Sequence, residues 1–511
     1  MIDATPLLRC YAGFRARRLA RQDPVSVQRH TLMRLVARAA ATRFGREHDF
    51  ARLRDRGDFA AAVPLRRYED FWSAYWQPAF PNLIDCSWPG RVPFFAASSG
   101  TSSGATKFIP VTAEIVRANR RAGLDVLVHH LRQRGHGHVL AGRHLLLGGS
   151  AALVERAPGV KSGDLSGIAA ATLPAWARPF AFPPSAIARL TDWSEKMALL
   201  AERAPAADIR GISGTPSWLL LFFDELVRRH PGRGARLVDF FPALELVIHG
   251  GVNFAPYRPR FAEWLEGSDA ELREVYAASE GFIAAADRGT GEGLRVILDH
   301  GIFFEFVPVT EIAAATPTRH WIGDIETGVD YAPVLTTCAG LWAYLLGDTV
   351  RFVSRDPPRL VVTGRLAYTL SAFGEHLTGE EIEAAVTIAA QAIGAGVRDF
   401  SVGALYPETS GAIGGHLYII EFERLVSAEE RARFASAIDQ DLMRRNLDYR
   451  DHRAGGFGLL PPQIRALPHG GFAEWMRRRG RLGGQNKVPR VIADPALFAD
   501  LRTFAAANRA D

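Results

Sequence analysis

The residues best suited to chemistry lie between Phe94 and Pro110, where the sequence reads FFAASSGTSSGATKFIP. Small residues let backbone N–H groups approach an anion closely, and hydroxyls donate hydrogen bonds to it. The residues of this kind are Ser98, Ser99, Gly100, Thr101, Ser102 and Ser103. Lys107 follows them and adds a compact, mobile positive charge. The stretch predicts a phosphate-binding loop, although it lacks the glycine spacing of a P-loop.

A flexible Ser/Gly linker is the alternative interpretation of this stretch. Residues 94–97 before it are apolar, and residues 107–110 after it read KFIP. Linkers are seldom enclosed between buried segments, so the flanking sequence favours a binding loop.

Lysine is rare in this chain. Only four of its 61 lysine and arginine residues are lysines, at positions 107, 161, 196 and 487. A retained lysine therefore marks a candidate for a site that needs a compact ammonium group, which a planar guanidinium does not replace. Lys107 and Lys487 are the two candidates in Gly-rich or Ser-rich segments, whereas Lys196 falls in a predicted helix and is interpreted as incidental.

Three further features suit a nucleotide. Tyr276 and Glu280 offer an aromatic face and a carboxylate that can hold Mg²⁺ through one or two oxygens. Asp348 follows Gly347 in a predicted tight turn and can accept both ribose hydroxyls. Lys487 can be carried to the site by a hinge. Each also has a structural interpretation: Glu280 as a helix cap, Asp348 as a hairpin turn residue and Lys487 as a surface charge.

The elements that must position these residues follow an α/β pattern. The first 75 residues or so read as helices, including 25–44 and 66–76. From Asp208 onward, strands at 209–212, 244–248 and 272–276 end in glycine or small polar residues before helices such as 258–266. This pattern predicts a mostly parallel sheet whose ligand site lies at the carboxyl ends of the strands.

The second half of the chain changes character near residues 365–372. Strands are predicted at 302–307, 340–346 and 349–353, and then a compact α+β lobe follows. That lobe has predicted helices at 379–390 and 428–445 and strands at 400–404 and 416–423. The expected organisation is α/β, with a large N-terminal domain (1–368) and a smaller, mobile C-terminal α+β domain (369–511).

Composition limits the partners. The net charge is +6 and the sequence pI is about 9.4. The 61 basic residues are nevertheless nearly matched in number by 55 acidic ones, and the two kinds are interleaved along the chain. We expect no nucleic-acid partner, and a non-catalytic nucleotide-binding or RNA-binding protein is the alternative from another class. No transmembrane segment is expected, and three widely spaced cysteines fit a reducing cytoplasm.

The order of these motifs resembles the auxin-responsive Gretchen Hagen family of acyl-acid amido synthetases, especially its bacterial members, within the adenylate-forming superfamily that includes firefly luciferase. The resemblance covers residues 42–491. SSGTSSGATKFIP matches the nucleotide motif, and YAASE resembles the Tyr-Ala-Ser-Ser-Glu motif. YLLGD resembles Tyr-Arg-x-Gly-Asp, GEHLT matches the bacterial hinge region, and NKVPR resembles Lys-x-Pro-Arg.

The resemblance implies a firefly-luciferase-like fold and a role for each motif. The loop from Ser98 to Ser103 and Lys107 would bind the ATP phosphates. Tyr276 would bind adenine, with Gly250, Gly251, Ala277 and Ser279 nearby, and Asp348 would bind the ribose. Glu280 would hold Mg²⁺, and Lys487 would bridge the acid's carboxylate and the α-phosphate during adenylation.

Three departures from the family motifs stand out. Ala278 replaces a serine and removes a hydroxyl. Leu345 replaces an arginine, so that charge must come from elsewhere, with Arg351 or Arg365 as candidates. His376 stands where the plant enzymes carry a lysine after the hinge.

The residues and the resemblance together imply a two-step reaction by a monomeric, cytoplasmic ligase. A carboxylate attacks the α-phosphate of Mg-ATP to give an acyl-adenylate and pyrophosphate. An amine, expected to belong to an amino acid, then attacks the acyl carbon and releases AMP. The alternative is an acyl-CoA ligase, which shares the first step and uses a thiol acceptor. The sequence assigns neither the acid nor the amine.

Overall fold

The computed structural model describes most of the chain. The described residues are 3–99, 106–251, 254, 257–289, 291–312, 314–366, 370, 377–406, 413–446, 449–450, 453, 459–481, 487–492 and 494–508. Within these ranges, the side chains of Ser98, Ser99, Thr106, Ser194, Ser217 and Arg365 lie outside the description.

The described α-helices are α1 (Thr5–Ala20), α2 (Pro24–Ala39), α3 (Arg43–Glu47), α4 (Arg56–Ala62), α5 (Tyr68–Phe71), α6 (Ala113–Gln133), α7 (Leu165–Ala171), α8 (Ser185–Ala188), α9 (Trp193–Arg203), α10 (Pro216–Arg229), α11 (Leu237–Phe240), α12 (Arg258–Trp264), α13 (Gly379–Ile393), α14 (Ala428–Arg445), α15 (Gly471–Arg478) and α16 (Pro495–Ala507). Single 3₁₀ turns cover Phe50–Arg52, Ala175–Phe180, Ala204–Ala206 and Val309–Glu311, and Trp72–Trp76 is a π-helix.

The described β-strands are β1 (Phe94–Ser99), β2 (Thr106–Val111), β3 (Arg143–Leu146), β4 (Val154–Ala157), β5 (Val160–Gly163), β6 (Ala181–Phe182), β7 (Ile209–Gly214), β8 (Leu246–Gly250), β9 (Glu271–Ala278), β10 (Gly281–Ala285), β11 (Leu294–Val296), β12 (Ile302–Pro308), β13 (His320–Trp321), β14 (Asp330–Thr337), β15 (Tyr344–Leu345), β16 (Asp348–Arg355), β17 (Pro358–Arg365), β18 (Val397–Leu405), β19 (Gly415–Phe422), β20 (Gln463–Leu467) and β21 (Val491–Ile492).

The strands form three sheets. The largest runs in the order β13-β12-β14-β16-β17-β11-β10-β9-β8-β7-β3-β6, and β15 pairs with β14. A second sheet has the order β2-β1-β5-β4, and a third has the order β20-β19-β18-β21. The predicted parallel arrangement is confirmed for β3, β6, β7, β8 and β9. Beyond β9 the sheet continues through antiparallel pairs.

Helix signals in the sequence explain several helix starts. Thr112 caps α6 by accepting a hydrogen bond from the Ile115 N–H at 3.2 Å. Thr378 and Glu381 form a capping box at the start of α13, and Ser427 and Glu430 form one at the start of α14. These side chains satisfy N–H groups that a helix cannot pair internally, so they fix where each helix begins.

Two sequence-based element boundaries are wrong. The helix expected over 25–44 is two helices, α2 and α3, because Ala40 and Ala41 break the run before Thr42 caps α3. The strand expected over 340–346 is reduced to the two-residue β15. Gly340 has φ +85° and Ala343 has φ +47°, which are left-handed backbone conformations incompatible with a continuous strand.

The chain divides into two compact units. One comprises residues 1–98, 106–346 and 350–362, and the other 99–105, 347–349 and 363–511. The first unit has a core in which Phe222, Phe223 and Leu226 of α10 pack with Ile212 and Val247 of the parallel strands.

In the second unit, α13 and α14 share a buried cluster with the sheet strands, including Ile382, Ile420 and Ile438. The expected boundary at 368/369 stays a prediction. In the part of the chain that the structure describes, no helix is both long enough and apolar enough to cross a bilayer.

Candidate active site

The parallel strands β7, β8 and β9 bring their carboxyl ends to one edge of the sheet. Gly214 lies opposite His249, and Gly250 lies opposite Val275. A Cβ atom at Gly250 would approach the Val275 carbonyl oxygen to 2.2 Å, so this position requires glycine. Gly251 follows with φ +85°, which also favours glycine. Glycine is therefore required at two successive positions of this edge, at Gly250 by close packing against β9 and at Gly251 by its left-handed backbone.

Tyr276 and Glu280 stand at the end of β9 and in the turn that follows. Tyr276 is buried and pairs with Ala284 of β10, while Ala277 is exposed. The Tyr344 hydroxyl of β15 donates a hydrogen bond to Glu280 Oε1 at 3.1 Å. Burial and the Glu280 charge raise the pKa of Tyr344 well above its ordinary value, so the hydroxyl stays protonated and orients the carboxylate. Tyr344 is a site residue that sequence reasoning treated only as part of a motif.

Lys107 lies on β2, just after the predicted phosphate loop. Its Nζ is 3.1 Å from Glu69 Oε1 and 5.0 Å from the centre of the Tyr68 ring. The Tyr68 hydroxyl in turn accepts a hydrogen bond from the Phe108 N–H at 2.9 Å. The ammonium group is thus held by Tyr68 and Glu69 of α5. Gly100, Thr101, Ser102 and Ser103 lie outside the described residues, and Ser98 and Ser99 end the described part of β1.

Asp348 opens β16 directly after Gly347, whose φ of +88° confirms the predicted turn. The Asp348 residue is 7% exposed. The Gly347 carbonyl accepts a hydrogen bond from the Leu366 N–H at 2.8 Å, which ties this turn to the residue after β17. Arg365 ends β17 with its side chain outside the description.

The structure describes both Leu345, which replaces the motif arginine, and Arg351, a candidate source of the missing charge. Leu345 is buried in β15, and its N–H donates to the Arg66 carbonyl oxygen at 2.8 Å. Arg351 makes two hydrogen bonds to Asp330, of 3.0 and 2.7 Å. Its guanidinium is therefore already engaged with a carboxylate, which weakens it as a replacement for the missing motif arginine. His376 lies outside the described residues.

Lys487 is exposed at the start of a segment that leads into β21. The residues after it are anchored on β18: Ser401 Oγ donates to the Pro489 carbonyl at 2.7 Å, and Val402 N–H donates to the Arg490 carbonyl at 2.8 Å. Arg490 also forms an ion pair with Asp399. The backbone just after Lys487 is therefore held in place by hydrogen bonds from β18.

His249 is a residue that the sequence analysis passed over. It is 1% exposed and stacks on Phe254 at 3.8 Å, and neither ring nitrogen has a hydrogen-bond partner among the described residues. Burial lowers its pKa to about 3, so the ring is neutral at physiological pH. A single histidine on an apolar strand has the sequence pattern of a core residue. Its position next to Gly250 was the one feature of the sequence that indicated a place at the candidate site.

Lys196 was interpreted as incidental, and that interpretation is wrong. The residue is 2% exposed, and its Nζ donates to the carbonyl oxygens of Gly148 at 2.9 Å and Gly149 at 2.6 Å. Burial lowers the pKa of Lys196 to about 8, and the negative charge of Asp164 offsets part of that decrease. Since β3 is parallel to β7, the loop after β3 that Lys196 holds lies at the candidate site's edge of the sheet.

The residues present fit a magnesium ion bound together with phosphates. Mg²⁺ usually takes only one or two carboxylates from the protein and completes its shell with phosphate oxygens and water. Glu280, oriented by Tyr344, meets that need. Among the described residues, the one cluster with the spacing of a protein metal site is Asp125, Asp299 and His300, and Arg15 bonds both of its carboxylates.

Family models match three parts of the chain. The GH3 family N-terminal domain matches residues 16–199, the central domain matches 295–365, and the C-terminal domain matches 380–496. The three segments occur in the order of the motifs described above. The chain belongs to the GH3 family.

Curated relatives of this GH3 protein are plant enzymes. It is 28% identical over 266 residues to indole-3-acetic acid-amido synthetase GH3.3 of Arabidopsis thaliana, covering 49% of this chain and 43% of that protein. It is 28% identical over 277 residues to indole-3-acetic acid-amido synthetase GH3.8 of Oryza sativa subsp. indica, covering 50% and 44%. The GH3 chain spans less than half the length of these relatives.

Solved structures show the same fold. The GH3.15 acyl acid amido synthetase superposes with a TM-score of 0.80 at 19% identity, covering 97% of this GH3 chain and 95% of its own. A 2-hydroxyisobutyryl-CoA ligase in complex with its acyl-adenylate superposes with a TM-score of 0.62 at 16% identity, covering 94% and 92%. The expected adenylate-forming fold is confirmed.

Proposed function

We propose that this GH3 protein is a cytoplasmic, ATP-dependent acyl-acid amido synthetase that joins a carboxylic acid to the amine of an amino acid. The observation that carries the proposal is the oriented Glu280 carboxylate in the turn after β9, whose parallel neighbour β8 ends at Gly250, in a chain of the GH3 family. The amido synthetase activity named for the plant relatives and the acyl-adenylate bound by a CoA ligase of the same fold support the same chemistry.

Charge crowding is the main barrier to the first step, because an anionic carboxylate must approach the α-phosphate of a polyanion. Donors and cations that are already in position stabilise the charge that develops there. In the proposal, Lys107 and residues 98–103 bind the phosphates, Asp348 binds the ribose and Tyr276 the adenine. Mg²⁺ bound with ATP at Glu280 would neutralise phosphate charge.

In the second step the acyl carbon is already activated, so no protein nucleophile is required. The amine attacks the acyl carbon, the bond from that carbon to the phosphate oxygen breaks, and AMP leaves with the electron pair. The amine loses its proton to solvent or to a nearby base. Lys487 is proposed to act in the adenylation step by contacting the carboxylate and the α-phosphate, as part of a mobile domain comprising residues 369–511.

The experiment that tests the acceptor is a product assay by mass. The purified full chain is incubated with Mg-ATP and each acid of a carboxylic-acid panel that includes indole-3-acetic acid. Each reaction contains either a mixture of amino acids or coenzyme A as the acceptor. We expect an acyl-amino acid amide. Formation of a thioester with coenzyme A and no amide would contradict the proposal and favour an acyl-CoA ligase, the activity of the second structural neighbour.

A further inference from the structure

A charged cavity lies between α2 and α6. It has a volume of about 280 Å³. Its wall carries four arginines, Arg34 and Arg38 from α2 and Arg117 and Arg121 from α6. On α6 the two arginines lie on the face opposite Asn119, whose side chain accepts a hydrogen bond from the Phe282 N–H.

The acidic residues of this cavity do not balance its arginines. Asp299 is already bonded by the buried Arg15, at 2.6 and 2.8 Å. Glu114 is shared by Arg38 at 3.8 Å and Arg117 at 3.6 Å, both through the same oxygen and both longer than a hydrogen bond. Among the described residues, Arg34 and Arg121 have no carboxylate within 4 Å. The cavity therefore has an excess of positive charge.

We propose that this cavity binds a small, doubly charged oxyanion, with phosphate or carboxylate groups. Guanidinium groups match both groups through paired hydrogen bonds, and arginines on two helices can hold two negative charges at once. Leu35, Ala118 and Trp88 form a buried apolar part of the wall, and the four arginines around it are exposed to solvent. The cavity is too small to enclose a whole nucleotide.

Isothermal titration of the full chain with inorganic phosphate, and separately with succinate, tests the proposal. The cavity variant is Arg34→Gln/Arg121→Gln. The matched control is Arg29→Gln/Arg132→Gln, which removes two exposed arginines from the same two helices without touching the cavity. Both variants should keep the unfolding temperature and the basal amide-forming activity of the wild type.

We expect saturable binding of at least one probe, weakened at least tenfold in the cavity variant and unchanged in the control. The probe that binds distinguishes phosphate from dicarboxylate recognition. The proposal is overturned if neither probe binds saturably, or if both double variants weaken binding equally. It is also overturned if Lys107→Ala abolishes the binding, because the anion would then occupy the candidate active site.

Discussion

At the scale of single residues, the retained lysines have different tasks. Lys107 and Lys487 remain predicted to bind phosphate through a compact ammonium group. Lys196 instead donates to the Gly148 and Gly149 carbonyls inside the protein. Its three rotatable donors on a flexible stem suit a pair of adjacent carbonyl oxygens, which a planar guanidinium would fit poorly.

Replacing Lys196 by methionine should destabilise the protein by about 1–3 kcal/mol, because two buried carbonyls lose their donor. The folded pKa is about 8 and the ordinary value 10.5, so between these pH values the unfolded chain binds more protons. The contribution of Lys196 to stability therefore rises as the pH increases from about 8 to 10.5. Denaturant unfolding of both proteins across that range measures the difference.

Lys161→Met serves as the control, since it removes the same charge from an exposed strand position. It should change stability by less than about 0.5 kcal/mol at every pH. Equal stability of Lys196→Met and the wild type would show that the buried ammonium does not hold the loop after β3.

Glu69 competes with phosphate for Lys107 in the proposed mechanism. We expect Glu69→Gln to lower the KM for ATP severalfold, because the ammonium no longer has to leave a carboxylate 3.1 Å away. Glu69 is 58% exposed at its side chain, so the loss of the ion pair should cost at most about 1 kcal/mol of stability. Glu155→Gln, at an exposed position on β4, is the matched control. A raised KM in Glu69→Gln would mean that the carboxylate positions Lys107 for ATP.

At the scale of elements, a buried charge network joins α1 to α6. Arg15 of α1 bonds Asp125 of α6 at 2.8 and 2.7 Å and also bonds Asp299, while His300 Nε2 lies 2.9 Å from Asp125. Burial opposes ionisation of Asp125, but the hydrogen bonds from Arg15 and His300 outweigh it and lower its pKa to about 2. The network therefore fixes the helix that runs between the charged cavity and the sheet.

Arg15→Met should lower the free energy of unfolding by about 3–5 kcal/mol, because it leaves two buried carboxylates without their cation. Arg18→Met is the control: Arg18 is 65% exposed and lies 3.9 Å from Asp299, so its loss should cost less than about 1 kcal/mol. Chemical denaturation at pH 7 compares the two. A similar, small effect of both substitutions would contradict the structural role of the network.

The success of sequence-based prediction differs between local and long-range features. Caps and hydrophobic periodicity placed α14 at Ala428–Arg445 as expected, and the glycines after β8 marked the sheet edge. Antiparallel continuation beyond β9 was not predicted, because pairing between distant strands leaves no local pattern. The partners of Lys196 and Lys107 were missed for the same reason: Gly148 lies 48 residues from Lys196, and Glu69 lies on a different element from Lys107.

At the scale of the whole molecule, the two reaction steps should place different demands on Lys487. Lys487→Ala should abolish acid-dependent pyrophosphate exchange and largely spare amide formation from a pre-made acyl-adenylate. Lys487→Arg should fail in the first step too, because a guanidinium does not replace the compact ammonium. Exchange and single-step amide assays on the same preparations measure both. Equal loss of the two steps in Lys487→Ala, or an active arginine variant, would refute this division.

Acid-dependent ATP–pyrophosphate exchange measures directly whether the chain forms an acyl-adenylate from ATP. The full chain is screened against a library of carboxylic acids with Mg-ATP and labelled pyrophosphate, beside Lys107→Ala and the control Lys161→Ala. We expect exchange that requires one class of acid, falls by at least about 100-fold in Lys107→Ala and persists in Lys161→Ala. Exchange that is absent with every acid, or that is equally strong in Lys107→Ala, would contradict it.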